Sequence, residues 1–208
     1  MIKIGVTGLI ASGKSAVSRL LSEHLGYPII DADELSREVS GKNSKVVQEV
    51  ELAFGSEYVI DGEMDRDKVA EKVFKDKEAL ARLNAIIHHR VGERYFELLG
   101  RYEQLGIEGV LFDCPLLIES NIMDTVDVVV LVYTEYTEQI RRLVELRNYT
   151  EEHAHDRIRN QMPFEEKRPY ADVIVKNSQS LAELERRIPQ IAEDIKRVYY
   201  EKKLLHNE

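Results

Sequence analysis

One stretch near the start limits what this chain can fold into more than any other: Gly8-Leu9-Ile10-Ala11-Ser12-Gly13-Lys14-Ser15. It follows the short apolar run Lys3-Ile4-Gly5-Val6-Thr7. It precedes Val17, Leu20, Leu21 and Leu25, which recur at helical spacing up to a stop at Gly26. The pattern predicts a buried strand, a glycine-bounded turn and an amphipathic helix. Gly8 and Gly13 permit backbone angles and close approaches that a Cβ forbids. The loop N–H groups then turn inward, and the helix start adds its positive dipole end, so the turn suits an anion. Lys14 supplies a point charge for outer phosphates, and Ser15 a hydroxyl suited to Mg2+. Gly8, Ile10, Ala11, Ser12, Gly13, Lys14, Ser15 and Ala16 are therefore the candidate residues for binding a nucleoside triphosphate.

The rest of the chain alternates strand and helix, with one interruption. Pro28-Ile29-Ile30-Asp31 reads as a second short strand. From Glu34 to about Gln104 the pattern is helical, with glycine pauses at Gly41, Gly55 and Gly62 and no strand signal. That block of roughly 70 residues has the size of an inserted helical subdomain. Alternation resumes with strands at Gly109–Asp113, within Val126–Val132, and at Ala171–Val175. The all-apolar middle one predicts a central parallel strand. Helices are expected over Thr137–Arg147 and Glu151–Met162. A last helix opens on a capping box, Ser180 with Glu183, and carries Leu184, Ile188, Ile191 and Ile195, with Pro189 expected to kink or break it. The fold class predicted is α/β: a five-stranded parallel sheet with helices on both faces, of the P-loop NTPase type, plus a helical acceptor subdomain and a lid. The expected boundaries are 1–33 with 106–136 and 169–208 for the core, 34–105 for the helical subdomain and 137–168 for the lid.

Composition narrows the function classes. The formal net charge is −9, which argues against a general nucleic-acid binder with its basic footprint. Cys114 is the single cysteine, so no intramolecular disulfide forms and no cysteine-rich metal site exists. No apolar run approaches the ~20 residues of a membrane span, and the first apolar stretch lacks the flanks of a signal peptide. A cytoplasmic protein with a small-molecule substrate and no obligatory protein partner is the expectation.

A phosphate loop alone does not separate a kinase from a GTPase or an ATPase; the groups at other strand ends decide. Ligands of open parallel sheets sit outside the carboxyl ends of the strands. Asp33 follows the second strand and is the candidate base for a substrate hydroxyl, able to accept the proton, orient the oxygen or contact the metal. Asp31 either supports it or caps the next helix. Asp113 resembles the acid that ends a Walker-B strand and holds Mg2+ through water. Arg141, Arg142, Arg147, Arg157, Arg159, Lys167 and Arg168 cluster in the 137–168 segment, where a kinase needs mobile cations; Arg142 and Arg147 are the candidates for phosphate contact. The pairs His88-His89 and His153-x-His155 lack the i, i+4 spacing of a helical zinc site.

Taken in order, these motifs resemble the dephospho-coenzyme A kinase family over nearly the whole length. The resemblance rests on Thr7–Ser15, Asp31-Ala32-Asp33 with Arg37, Phe54-Gly55, Asp61-Gly62, Asp65-Arg66, Leu83-Asn84 and His88. It continues through Asp113-Cys114-Pro115-Leu116-Leu117 with Glu119, Gln139, Arg142-Leu143, Arg147, Gln161, Ala171–Ile174 and Asn177. It implies Mg2+-dependent transfer from ATP to the ribose 3′-hydroxyl of dephospho-coenzyme A. It also implies Asp33 as base, Arg37, Arg66 and His88 with Asp113 on the acceptor side, Arg142 and Arg147 as lid arginines, and Asn177 near the adenine. The chain departs from the family pattern at His89, where proline is usual, and in the short turn Arg147-Asn148-Tyr149-Thr150. Three rival readings are a nucleoside or nucleotide kinase, a GTP-dependent switch and a binding protein without turnover. The switch lacks an Asn-Lys-x-Asp stretch, and Lys14, Ser15 and Asp33 argue against the last.

Overall fold

The structure, a computed structural model, describes residues 1–205. These residues divide into two compact units, Met1–Ile30 with the chain from Ile107 onward, and Asp31–Gly106. The 137–168 segment groups with the first.

The first unit holds a five-stranded sheet built from β1 (Ile2–Gly8), β2 (Ile29–Asp31), β5 (Gly109–Asp113), β6 (Val128–Tyr133) and β7 (Val173–Lys176) in the order β2-β5-β1-β6-β7. The numbers β3 and β4 belong to Val59–Ile60 and Glu63–Met64 in the second unit. β1 pairs in parallel with β5 on one side and β6 on the other, and β6 pairs in parallel with β7. The order reverses around β1, and such a switch point leaves a crevice at the carboxyl ends of the strands. Register puts Val6 beside Asp113 and Gly8 beside Val132, so the glycine turn and the Asp113 carboxylate emerge together. Val128 to Val132 are all buried, as a central strand requires. On β7 burial alternates instead, Val173 and Val175 in, Ile174 and Lys176 out, the pattern of a strand with one face in solvent.

α1 (Lys14–Leu25) and α9 (Leu181–Leu205) cover one face, where Val17 and Leu21 meet Ile4, Val6, Val130 and the stripe Leu184, Ile188, Ile191, Ala192, Ile195. Burying each such side chain contributes about 1.5–3 kcal/mol. α6 (Tyr136–Arg147), α7 (Glu151–Arg159) and α8 (Phe164–Lys167) follow β6. Under them Lys167, fully buried, meets Glu119 at 2.6 Å and ties this helical segment to the turn after β5.

The second unit is four helices: α2 (Ala32–Val39), α3 (Lys45–Phe54), α4 (Arg66–Lys75) and α5 (Lys77–Gln104). Asp31, Ser44, Asp65 and Asp76 cap them by accepting from N–H groups of the first turn. Val46, Val50 and Val69 form the centre, with Val39, Phe54, Leu83 and Ile86 around them.

Two expectations are corrected. The helical block contains a hairpin, in which Val59 pairs with Met64 and Ile60 with Glu63. Two-residue strands are too short to show alternation, and the available signal was Asp61-Gly62, both at positive φ (51° and 77°), the geometry of a tight hairpin turn. Of the kink or break expected at Pro189, the break does not occur: α9 is continuous from Leu181 to Leu205. Pro189 lies on the exposed face, so the Glu185 carbonyl left without its N–H faces water while Ile188 and Ile191 anchor the buried side. Pro189→Ala is expected to raise the unfolding free energy by about 1–3 kcal/mol. Urea denaturation checks this, and an unchanged midpoint would refute it.

Candidate active site

The turn between β1 and α1 has the form its sequence predicts. A Cβ on Gly8 would lie 2.6 Å from the Val132 carbonyl oxygen, which fixes glycine there. Gly13 sits at φ 82° as the cap residue of α1, and a Cβ on it would run into the Asn177 side-chain amide. Ala11 occupies the left-handed region at φ 57°, which costs an L-residue about 1–2 kcal/mol. Strain of that kind persists only where the surroundings hold it.

Those surroundings are specific. The Ile10 carbonyl accepts from Gln139 Nε2 at 2.7 Å, the Ala11 carbonyl from Arg142 at 3.1 Å, and the Ser12 carbonyl from Asn177 Nδ2 at 2.8 Å. The Ile10 N–H donates to Gln161 Oε1 at 2.8 Å. Inside the loop, Ser12 N–H donates to the Leu9 carbonyl and Ala16 N–H to that of Gly13. Every carbonyl from Leu9 to Gly13 thus has a donor. The first turn of α1 supplies amide groups that the helix itself has no carbonyl to meet.

Asp113, at the end of β5, is 4% exposed. Its Oδ2 accepts from the buried Ser18 hydroxyl at 2.7 Å, and its Oδ1 meets the Lys14 ammonium. Ser18 and Lys14 are one turn apart on α1, so one carboxylate fixes the helix start against the sheet. The Ser15 hydroxyl, between them in sequence, is exposed. Thr7 Oγ1 donates to the Pro115 carbonyl at 3.0 Å and joins the turns after β1 and β5.

Arg142 commits three of its five N–H groups, to Glu138 at 2.7 Å, the Ala11 carbonyl and the Asn177 carbonyl at 2.8 Å. Its NH1 is 3.4 Å from where a Cβ on Gly13 would stand, so it lies on the rim of the loop. Donation from Arg141, then from Arg142, pulls the Glu138 carboxyl down to about 2. Arg147 closes α6 and is exposed. Asn177, 8% exposed, donates its side-chain amide to the loop.

The remaining predicted residues lie in the helical unit. Asp33 is exposed in the first turn of α2, its N–H donating to Asp31 Oδ1 at 2.8 Å, so Asp31 takes the capping role. Arg37 is exposed in the last turn of α2, Arg66 opens α4, and His88 is exposed on α5. Sequence reasoning quoted Gln139 and Gln161 only among the residues that carry the family resemblance, with no role of their own, and passed over Ser18. A usable signal existed for Gln139, since it sits four residues before the buried Leu143, on the face α6 turns inward.

Among the described residues no group of three or more histidine, cysteine, aspartate and glutamate side chains could hold a metal ion, and no helix is long and apolar enough to cross a membrane. Mg2+ takes one or two protein oxygens and completes its octahedron with phosphates and water, so the hard oxygens of Ser15 and Asp113 fit it.

Comparison with known proteins covers both units. The dephospho-CoA kinase family model matches residues 2–183. The dephospho-CoA kinase of Thermobifida fusca is 40% identical over 198 residues, 95% of this chain and 98% of the relative. That of Listeria monocytogenes serotype 4b is 39% identical over 186 residues, 89% of this chain and 92% of the relative. Among solved structures, TT1252 of Thermus thermophilus matches with a TM-score of 0.78 at 34% identity, covering 93% of this chain and 97% of that one. Shikimate kinase of Acinetobacter baumannii shares the fold, with a TM-score of 0.51 at 18% identity over 92% of both chains. A phosphate loop at the switch point of a β2-β5-β1-β6-β7 sheet, in a chain matched from residue 2 to residue 183, makes this protein a member of the dephospho-CoA kinase family.

Proposed function

We propose that this kinase transfers the γ-phosphoryl group of ATP to the ribose 3′-hydroxyl of dephospho-coenzyme A, the last step in making coenzyme A. The observation that carries the reading is the extent of the family match, which takes in the phosphate loop and the whole helical unit Asp31–Gly106. A nucleoside kinase or a GTP switch needs the loop but gives no reason for that unit to match.

Transfer of a phosphoryl group demands little covalent chemistry from the protein; positioning and charge neutralisation carry it. Loop amides other than those of Leu9, Ile10 and Ser12, which donate to protein acceptors, receive the β- and γ-phosphates together with the first turn of α1. Lys14 lies with them, its ammonium oriented by Asp113. Ser15 and Asp113 are the residues that would hold a Mg2+ ion, which would supply charge neutralisation to the phosphate oxygens. Asp33 accepts or orients the acceptor hydroxyl, with Arg37, Arg66 and His88 as its binding partners on the helical unit. Arg142 at the loop rim and Arg147 at the end of α6 cover the transferring group, and Asn177 borders the adenine. The 137–168 segment acts as the lid. Cytoplasmic location fits this chemistry, since ATP and the acceptor are met there.

The direct test is ADP production from Mg2+-ATP with and without dephospho-coenzyme A, followed by mapping of the added phosphate. Acceptor-dependent ADP with phosphate on the 3′-oxygen is expected; phosphate elsewhere, or hydrolysis without acceptor, refutes the proposal. Asp33→Asn should retain ADP affinity and lower kcat by about 10²–10⁴-fold, the usual contribution of a general base. A kcat within a few-fold of the parent would remove Asp33 from that role. The depressed Glu138 carboxyl sets a pH window. Its folded value of about 2 lies below the ordinary 4.5, so its stabilising contribution is complete above 4.5 and fades as pH falls toward 2. Thermal melts of Glu138→Gln should therefore run below the parent by a constant margin down to about pH 4.5 and converge with it below.

A further inference from the structure

A loop that aims its amide groups at one anion must turn its carbonyls the other way, and in this protein side chains meet those carbonyls in sequence. Gln139 holds Ile10, Arg142 holds Ala11 and Asn177 holds Ser12, while Gln161 takes the Ile10 N–H. The four come from α6, the turn after α7 and the turn after β7, three separate segments converging on three consecutive residues. Gln139 is 3% exposed and Asn177 8%, so neither has water as a ready substitute partner. The middle residue is Ala11 at φ 57°, a conformation that the loop does not favour unaided.

We propose that Gln139 and Gln161 are positioning residues for phosphate binding: they hold the two peptide units that flank Ile10, through its carbonyl and its N–H, and with Arg142 and Asn177 they keep the loop in its phosphate-receiving shape before the nucleotide arrives. The inference rests on reading Gly8–Ser15 as the ATP phosphate site. The two glutamines use opposite ends of their amides. Gln139 must donate to a carbonyl, and Gln161 must accept from an N–H, which fixes both orientations without ambiguity. A carboxylate can replace the acceptor but not the donor, so one substitution has opposite consequences at the two positions.

The experiment measures KM for ATP, KM for dephospho-coenzyme A and ADP affinity by titration calorimetry in Gln139→Glu, Gln139→Met, Gln161→Glu and Gln161→Met of the full chain. Loss of a buried hydrogen bond to the loop should raise KM for ATP and the ADP dissociation constant about ten-fold in both Gln139 variants and in Gln161→Met. Gln161→Glu should stay within about two-fold of the parent, and KM for the acceptor should stay within about two-fold in all four. ATP affinity unchanged in Gln139→Met overturns the proposal, as does Gln161→Glu matching Gln161→Met, or ATP and acceptor constants rising together. Should the Gln139 variants fail to fold, the Gln161 pair decides by itself. An unsubstituted chain that binds no ADP would instead refute the phosphate-site reading, a different result from variants that bind ADP as well as the parent.

Discussion

The fold is organised around a constraint on one short stretch of backbone: amide groups that converge on an anion leave their carbonyls diverging, and each carbonyl buried by the packing around it needs a donor. The sheet puts the turn at the switch point, with Val132 beside Gly8. The helices after β6 and the turn after β7 then bring Gln139, Arg142, Gln161 and Asn177 to its outer side. Ala11 at positive φ shows how closely the loop is determined from outside.

Asp113 carries the complementary task on the inner side. Buried at the end of β5, it receives the Ser18 hydroxyl and the Lys14 ammonium and so joins the start of α1 to the sheet. A buried carboxylate with a hydrogen bond and an ion pair is stable where an unpaired one would be costly. The same contacts orient Lys14, the lysine of the phosphate-loop pattern. Structural and chemical demands therefore fall on the same atoms, and any account of Lys14 in phosphate binding must include its tie to Asp113.

The basic side chains of the 137–168 segment illustrate how like charges divide their work. Arg141 is exposed and engaged with Glu138 and Glu145, a solvated helix face. Arg142, one residue on, turns inward and reaches two backbone carbonyls at the loop. Lys167 is fully buried against Glu119. Spacing on a helix assigns these side chains to faces, but only packing against the loop decides which face becomes a brace.

Much of this was legible in the chain itself. Gly8-x-x-x-x-Gly13-Lys14-Ser15 between an apolar strand and an amphipathic helix made the turn legible, because only glycine fits where backbone packs this closely, although the atoms that crowd Gly8 and Gly13, the Val132 carbonyl and the Asn177 amide, come from distant segments. The valine run Val128–Val132 identified the central strand for the same kind of reason, burial on both faces. The continuity of α9 through Pro189 was not legible, and of the hairpin at Val59–Met64 only the turn Asp61-Gly62 was. Two-residue strands carry no period, and whether a proline breaks a helix depends on which side of it faces water. The partners of the loop carbonyls lay beyond the sequence too: Ile10 and Gln139 are 129 residues apart, Ser12 and Asn177 165 apart, and nothing local to either end reveals the other. The sequence by itself determined that a phosphate loop would form and what chemistry it carries; the tertiary structure alone decided what holds the loop in shape, since hydrogen bonds between distant segments exist only once the sheet has brought them together.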